Sequence, residues 1–464
     1  MSSVSHSHSE PSAAHAFGSD NPRDHIVCKF GGTSLADAVQ IRKVAAIVQS
    51  DPRRRYVVVS APGKRNSADQ KITDLLLTSW HLAAQKLDYR EPLRLVRERY
   101  EQIARDLNVE PVSGPLMEMQ SELSKLAAGD PSSLATRDWM AARGEYFHAC
   151  LIADFLNAEF IPSGECILFN EEGHLDELSY ALLAARMPGP GPYVIPGFYG
   201  RDKEGRIKTF PRGGSDITGA VVARAVGASI YENWTDVSGL LMADPRVVKD
   251  PKPISEVTYR ELRELAYAGA SVLHEETIFP ASEAGIPIHI KNTNRPQDAG
   301  TRIVDKRDAT TQSIVGIAGK TGFTTIYIEK AMMNQQRGFG RRVLEVLEAH
   351  DISFEHMPSA IDSMSVIVSD EQFAGKENMV LRELDRVLEP DRVEKLGDLA
   401  LIATVGEGMA YRVGVSGSLF SALNAAGVNV RMISQGASEI NIIIGVAADD
   451  YQNAVEAIYH AFVD

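Results

Sequence analysis

Two segments of this 464-residue chain set adjacent glycines beside ionisable side chains. The first is Lys29-Phe30-Gly31-Gly32-Thr33-Ser34. Ile26 to Phe30 reads as a short apolar strand, and the glycine pair gives the backbone freedom for a tight turn. From Ser34 onward Ala38, Ile41, Val44, Ala45 and Val48 recur at helical spacing, with Ser34 and Asp37 placed as a capping box. A strand, a glycine turn and a helix start together offer free backbone N–H groups to an anion. The Lys29 ammonium, at the strand's end, reaches the same anion. No Gly-Lys-Ser/Thr follows the turn, which excludes the Walker nucleotide loop. Alone, the segment also fits a plain strand-to-helix connection with a surface lysine.

The second segment is Arg212-Gly213-Gly214-Ser215-Asp216, running into a helix of small and branched residues, Ile217 to Ala223. Again a glycine pair stands at a helix start, with a guanidinium able to grip a carboxylate or phosphate through two bonds. A glycine-turn connection is the plain alternative. Lys29, Ser60, Arg212 and Asp236 all fall at or just after predicted strand ends, which is where open α/β sheets hold their ligands.

The elements that must position these residues alternate. Strands are expected at 26–30, 56–59, 158–161, 192–195, 229–236 and 288–293, the last closing the domain. Helices are expected at 72–87, 95–107, 116–128 and 139–156, with a polar hairpin at 197–206. The continuous apolar run Tyr56-Val57-Val58-Val59 suits a parallel strand covered on both faces. The result is an α/β domain with a mainly parallel sheet between helices.

Composition narrows the classes. Hydrophobic content of 44% and charged content of 24% are those of a globular chain, and its length calls for more than one domain. A net charge of -14 argues against nucleic-acid and anionic-membrane partners, and no apolar run is long enough to span a bilayer. Cys28, Cys150 and Cys166 lack metal-ligand spacing and point to a reducing, cytoplasmic compartment. Residues 1–24, rich in Ser, His and Ala, read as a disordered tail.

Beyond Ser313 the pattern becomes a repeat. A strand–helix–strand–strand–helix unit over 324–388 recurs over 400–462, and a shift of about 76 residues lays Leu347 on Leu423 and Ile352 on Val428. Two such units fit a pair of ferredoxin-like modules. Their loops Asn334-Gln335-Gln336-Arg337-Gly338-Phe339 and Arg412-Val413-Gly414-Val415-Ser416-Gly417 suit backbone capture of a small amino acid, and equally a pure dimerisation module.

Taken in order, the Lys29–Ser34 segment, Phe198 to Asp216, Trp234 to Arg246 and the paired tail modules resemble aspartate kinases, from about Ile26 to the C-terminus. That family joins an amino-acid-kinase domain to two ACT domains. The resemblance implies a catalytic domain over 25–305, a linker and first ACT domain over 306–390 and a second over 391–464, with interleaving allowed. It implies ATP-dependent phosphorylation of the β-carboxylate of L-aspartate, with Mg²⁺ arriving on ATP. Lys29 would stabilise the transferring phosphoryl group and Asp216 would orient Lys29. Gly31, Gly32, Thr33, Gly213 and Gly214 would line the phosphate site, and Thr235, Asp236, Leu241 and Arg246 the nucleotide loop. Arg212 would take the α-carboxylate of aspartate and Glu145 its α-ammonium, with Ser60, Thr73, Phe198 and Ser215 completing the pocket. Met333, Gly338, Phe339, Phe354 and Glu355 would meet a feedback amino acid, lysine or threonine, and the ACT domains would make a homodimer or homotetramer. Departures from the family pattern fall at Phe210-Pro211, Ser238, Leu241 and Ser271. The rivals are another amino-acid-kinase-type enzyme, acting on glutamate, acetylglutamate or a nucleotide, and a catalytically silent amino-acid sensor.

Overall fold

The computed structural model describes residues 24–189, 191–211, 213–270 and 275–463. The expected tail, up to residue 23, lies outside the described residues, as do Arg212 and Ser271.

An eight-stranded sheet runs in the order Glu256–Thr258, Thr301–Val304, Ile288–Asn292, Ile230–Thr235, Ile26–Phe30, Arg54–Val59, Tyr193–Pro196, Glu159–Phe160. Its neighbours are parallel except where Thr301–Val304 returns against Ile288–Asn292. The sheet therefore does not end at 288–293 as expected. Thr301–Val304 buries only Thr301 and Ile303, too short an alternation to stand out from the turn-rich text around it.

Ile26–Phe30 is central and buried along its whole length. Because side chains alternate across a strand, Cys28 and Phe30 join the helices Ala38–Gln49, Ile72–Ala84, Arg90–Leu107 and Arg137–Leu156. Val27 faces the other way, against Ala220 to Ala223 of the helix Gly214–Val226. Lys29 shares the Val27 side, so the alternation itself delivers its side chain to the start of that helix.

One expected cap is corrected. Ser34 lies inside a 3₁₀ turn, Gly32–Leu35, and the residue capping Ala38–Gln49 is Asp37, whose carboxylate accepts from Gln40 N–H at 2.9 Å. The tight turn after the glycines consumes the residues that a direct strand-to-helix switch would have used. Ser34 Oγ instead accepts from the Thr293 hydroxyl at 2.8 Å.

The C-terminal region forms a six-stranded sheet in the order Phe354–His356, Ser363–Ser369, Gly316–Glu329, Arg392–Val405, Asn441–Ala447, Met432–Ser434. Its two long central strands serve both repeats. Phe323–Glu329 pairs with Arg392–Leu399, while Gly316–Lys320 pairs with Leu401–Val405. The second repeat thus takes a strand partner from residues that precede the first. The first repeat has its own apolar core, whereas the second shares one continuous core with helices of the N-terminal α/β domain.

Polar contacts join these regions. Lys252 N–H donates to the Tyr459 hydroxyl at 2.8 Å, and Ile317 N–H to Met242 O at 2.7 Å. Fully buried Glu261 accepts from Glu407 N–H and Thr258 N–H, both at 2.9 Å, and pairs with Arg307.

Candidate active site

Lys29 and Asp216 meet at 2.6 Å, Nζ to Oδ1, at the C-terminal end of the central strand. Lys29 is buried to 7% exposure, so this ion pair is shielded from the bulk solvent that makes exposed pairs weak. Asn233, opposite Lys29 in the parallel register, completes the knot. Its Nδ2 donates to Asp216 Oδ1 at 2.7 Å, and its Oδ1 accepts from Lys29 Nζ at 3.4 Å. The Tyr231 hydroxyl donates to the Asp216 carbonyl at 3.1 Å and fixes the helix start against the same strand.

The glycine turns are built for close approach. A Cβ on Gly63 would stand 2.5 Å from the Gly32 carbonyl carbon, and Gly63 N–H donates to Gly32 O at 2.8 Å. The loops leaving the neighbouring strands Ile26–Phe30 and Arg54–Val59 are therefore locked backbone to backbone, with Thr33 exposed beside them. A Cβ on Gly31 would stand 3.6 Å from Lys29 Nζ, in ordinary contact with the ammonium. Gly213 caps the helix Gly214–Val226 in a left-handed conformation, φ 57°. Gly214 lies under Phe198, itself at φ 80° and held through its N–H by the Thr218 hydroxyl at 3.0 Å. Ser215 is buried against Gly197. Gly31 N–H is taken by Trp234 O at 3.0 Å and Asp216 N–H by Gly213 O at 2.8 Å, so the donors that flank the Lys29 ammonium for a polyanion are those of Gly32 and Thr33 on one side and of Gly214 and Ser215 on the other.

On the neighbouring helix Arg137–Leu156, Glu145 is buried and its Oε2 has no hydrogen-bond partner among the described residues. Burial pushes its carboxyl up to about 8, opposed by the backbone N–H groups of Ala61 and of Glu145 itself. Ser60 is tied to the central strand through its N–H, 3.2 Å from Phe30 O. Thr73 is half-buried in the first turn of Ile72–Ala84.

Thr235 ends the strand Ile230–Thr235, and its hydroxyl donates to the carboxylate of exposed Asp236 at 3.2 Å. Leu241 is exposed on the short strand Leu240–Leu241. Arg246 is exposed and forks onto Asp244. Ser238, one of the family departures, donates to Asp298 at 2.5 Å and accepts from Asn292 Nδ2 at 2.9 Å, so it braces this loop.

The five regulatory candidates divide. Met333 and Phe339 lie in the core of the first repeat, and Gly338 caps its first helix at φ 75°. Phe354 is exposed on an edge strand, and Glu355 sits beside Tyr267 of the helix Tyr259–Tyr267. Among the described residues, no three His, Cys, Asp or Glu side chains stand together as a metal-binding group. Asp216, the acid nearest Lys29, is already committed to that ammonium. The donor set therefore does not fit a resident metal ion.

Sequence reasoning passed over Asn233, Gly63 and His148. Asn233 carried a signal, standing beside Glu232 as a polar residue in the buried stretch of a strand; Gly63 and His148 act through contacts to distant backbone that no local spacing reveals.

Comparison with known proteins agrees with this geometry. The amino acid kinase family model matches residues 24–292, and an ACT domain model matches 402–462. Aspartokinase 3 of Bacillus subtilis is 43% identical over 447 residues, covering 94% of this chain and 98% of that protein. The crystal structure of Clostridium acetobutylicum aspartate kinase superposes with a TM-score of 0.86 at 45% identity, covering 95% of this chain and 100% of the other. Escherichia coli aspartokinase III in complex with aspartate and ADP gives 0.72 at 29% identity, covering 95% and 100%. The same enzyme with lysine and aspartate gives 0.71 at 28%, again covering 95% and 100%. With a kinase domain, a C-terminal ACT domain and such similarity along nearly its whole length, this chain belongs to the aspartokinase family.

Proposed function

We propose that the chain transfers the γ-phosphoryl group of ATP to the β-carboxylate of L-aspartate, giving 4-phospho-L-aspartate and ADP. The observation that carries this reading is the buried Lys29–Asp216–Asn233 knot between two glycine-rich helix starts, with the partnerless oxygen of Glu145 on an adjacent helix. A carboxylate oxygen of aspartate attacks the γ-phosphorus while the bond to the β,γ-bridging oxygen breaks. The attacking carboxylate is already ionised, so no general base is needed. Catalysis then rests on positioning and on neutralising charge spread over the transferring group. Lys29 supplies that charge, and Asp216 and Asn233 hold it in place. The first-turn N–H groups after Gly213 add donors, Arg212 receives the α-carboxylate and Glu145 the α-ammonium. Thr235, Asp236, Leu241 and Arg246 edge the nucleotide. Mg²⁺ enters with ATP rather than from a protein site.

On this reading 25–305 is the catalytic unit, and the ACT segments 306–390 and 391–464 exchange strands. They bind a feedback amino acid, for which lysine is the first choice and threonine the second, and they mediate a homodimer or homotetramer. The product feeds biosynthesis of lysine, threonine and methionine in the cytoplasm. Among the described residues no helix is long and apolar enough to cross a membrane. The test traps acyl phosphate with hydroxylamine in the presence of ATP, Mg²⁺ and aspartate, glutamate or N-acetylglutamate. Hydroxamate from aspartate alone is expected. A hydroxamate from either other acid instead would transfer the reading to another carboxylate kinase, and none at all would favour a silent sensor.

A further inference from the structure

The helix Arg137–Leu156 buries two polar side chains one turn apart, Glu145 and His148, that both meet the loop after the strand Arg54–Val59. His148 Nδ1 lies 2.8 Å from Ser60 O. A carbonyl oxygen only accepts, so Nδ1 carries the proton. The neutral ring then leaves Nε2 as an acceptor, and Nε2 has no partner among the described residues. Burial pushes the imidazole down to about 4, which keeps it neutral at physiological pH.

The Ser60 carbonyl and the Ala61 N–H belong to one peptide group. The N–H end is one of two backbone groups, with the N–H of Glu145 itself, that favour the ionised Glu145 carboxylate against its burial. One helix turn thus grips a single peptide at both ends. Gly144 makes this approach possible, since a Cβ there would stand 2.8 Å from the Ala61 Cβ. The Tyr100 hydroxyl holds the Gly144 carbonyl at 2.7 Å, and Ser60 N–H donates to Phe30 O, one residue beyond Lys29. Tyr100 and Tyr199, on packed elements, are the titratable groups close enough to couple electrostatically to Glu145, and Arg99 couples to His148.

We propose that His148 is a positioning residue for aspartate: by holding the Ser60 carbonyl it presents the Ala61 N–H to Glu145, leaving the carboxylate's Oε2 for the substrate's α-ammonium. The inference rests on the aspartate kinase reading. Without the donor at Nδ1 the peptide is free to turn, and Glu145 loses an N–H that favours its ionised form.

The test compares His148→Asn with His148→Gln in the full-length enzyme. The Asn amide nitrogen falls near the Nδ1 position, whereas the Gln amide falls near Nε2. With hydroxamate formation as the assay, His148→Gln should raise the aspartate KM about tenfold, the scale of one lost buried hydrogen bond. The ATP KM should stay put, and the acidic limb of kcat/KM for aspartate should move to higher pH. His148→Asn should stay within about twofold of wild type, because its donor is retained. Equal effects of the two variants, a parallel rise in the ATP KM, or an unmoved acidic limb would overturn the proposal. Should His148→Gln fail to fold, His148→Asn alone decides: a tenfold loss in that variant would refute the donor role, and retention would support it. A wild-type protein inert toward aspartate would overturn the kinase reading together with this inference, whereas an active wild type with unmoved variants would overturn this inference alone.

Discussion

On the proposed function, Glu145 ties substrate capture to pH in a way that can be worked out quantitatively. Burial raises its carboxyl to about 8, and only the ionised form can accept an ammonium. About a hundredth of the free enzyme is therefore ionised at pH 6, about a tenth at pH 7 and about half at pH 8. At saturating ATP, kcat/KM for aspartate should rise about tenfold from pH 6 to 7 and about fivefold from 7 to 8, then level off. Glu145→Gln should flatten this profile and lose about 10- to 100-fold at pH 8, the worth of a charge-assisted hydrogen bond. Stability moves the other way. The folded-state value lies above the ordinary value of 4.5, so the stability from this group is fully present below about 4.5 and is lost as pH rises through about 8. Above pH 8 the buried carboxylate costs roughly 3–5 kcal/mol, which the neutral isostere removes. Glu145→Gln should therefore melt higher than wild type at pH 8.5 and no higher at pH 4. Steady-state kinetics over pH 6 to 8.5 and thermal denaturation at the two pH values check both halves. A flat wild-type profile, or a Gln variant less stable at pH 8.5, would refute the assignment of Glu145 as the buried ammonium acceptor.

Three further outcomes follow from the packing. Gly63→Ala places a Cβ within 3 Å of Gly32 backbone atoms that cannot yield cheaply, so it should cost about 1–3 kcal/mol in urea denaturation and weaken ATP binding. Arg307→Leu leaves Glu261 buried with only N–H partners and should destabilise the fold by about 3–5 kcal/mol, with Arg307→Lys recovering part of the loss; an unchanged denaturation midpoint would dismiss this link between the catalytic and regulatory parts. Lysine at about 100 times its dissociation constant should stabilise the folded protein by about 2.7 kcal/mol, read as a rise in melting temperature; no shift with lysine, threonine or methionine at saturation would favour a purely structural role for the ACT modules.

What the sequence made legible follows from local pattern. The buried strand Ile26–Phe30 and the glycine pairs marked both ends of the site, and side-chain alternation sufficed to aim Lys29 at the helix that carries Asp216. The repeat was equally legible, because its helices Phe339–Ala349 and Val415–Ala425 keep the same periodicity. Hidden from view were features set by distant backbone. Asn233 owes its place to parallel register with Lys29, Gly63 to its approach to Gly32, and Gly316–Lys320 to pairing with a strand some 80 residues later. Ser34 and Asp37 both have capping chemistry, and only the 3₁₀ turn between strand and helix selects Asp37. Met333 and Phe339 show the limit from the other side, since an apolar residue near a glycine loop satisfies a ligand pocket and a hydrophobic core alike.

On the proposed function Lys29 holds the decisive position, because its ammonium is the charge, among the described residues, that Asp216 and Asn233 hold at the junction of both glycine-rich helix starts. Single-turnover phosphoryl transfer by Lys29→Ala, measured beside calorimetric binding of aspartate to the same protein, separates the chemical step from substrate capture. Transfer should fall by at least about a hundredfold, the scale on which loss of one group that stabilises transition-state charge is felt. Aspartate affinity should stay within about threefold of wild type, because its ligands sit elsewhere. Transfer at the wild-type rate, or aspartate binding lost in step with turnover, would contradict a phosphoryl-stabilising role for Lys29.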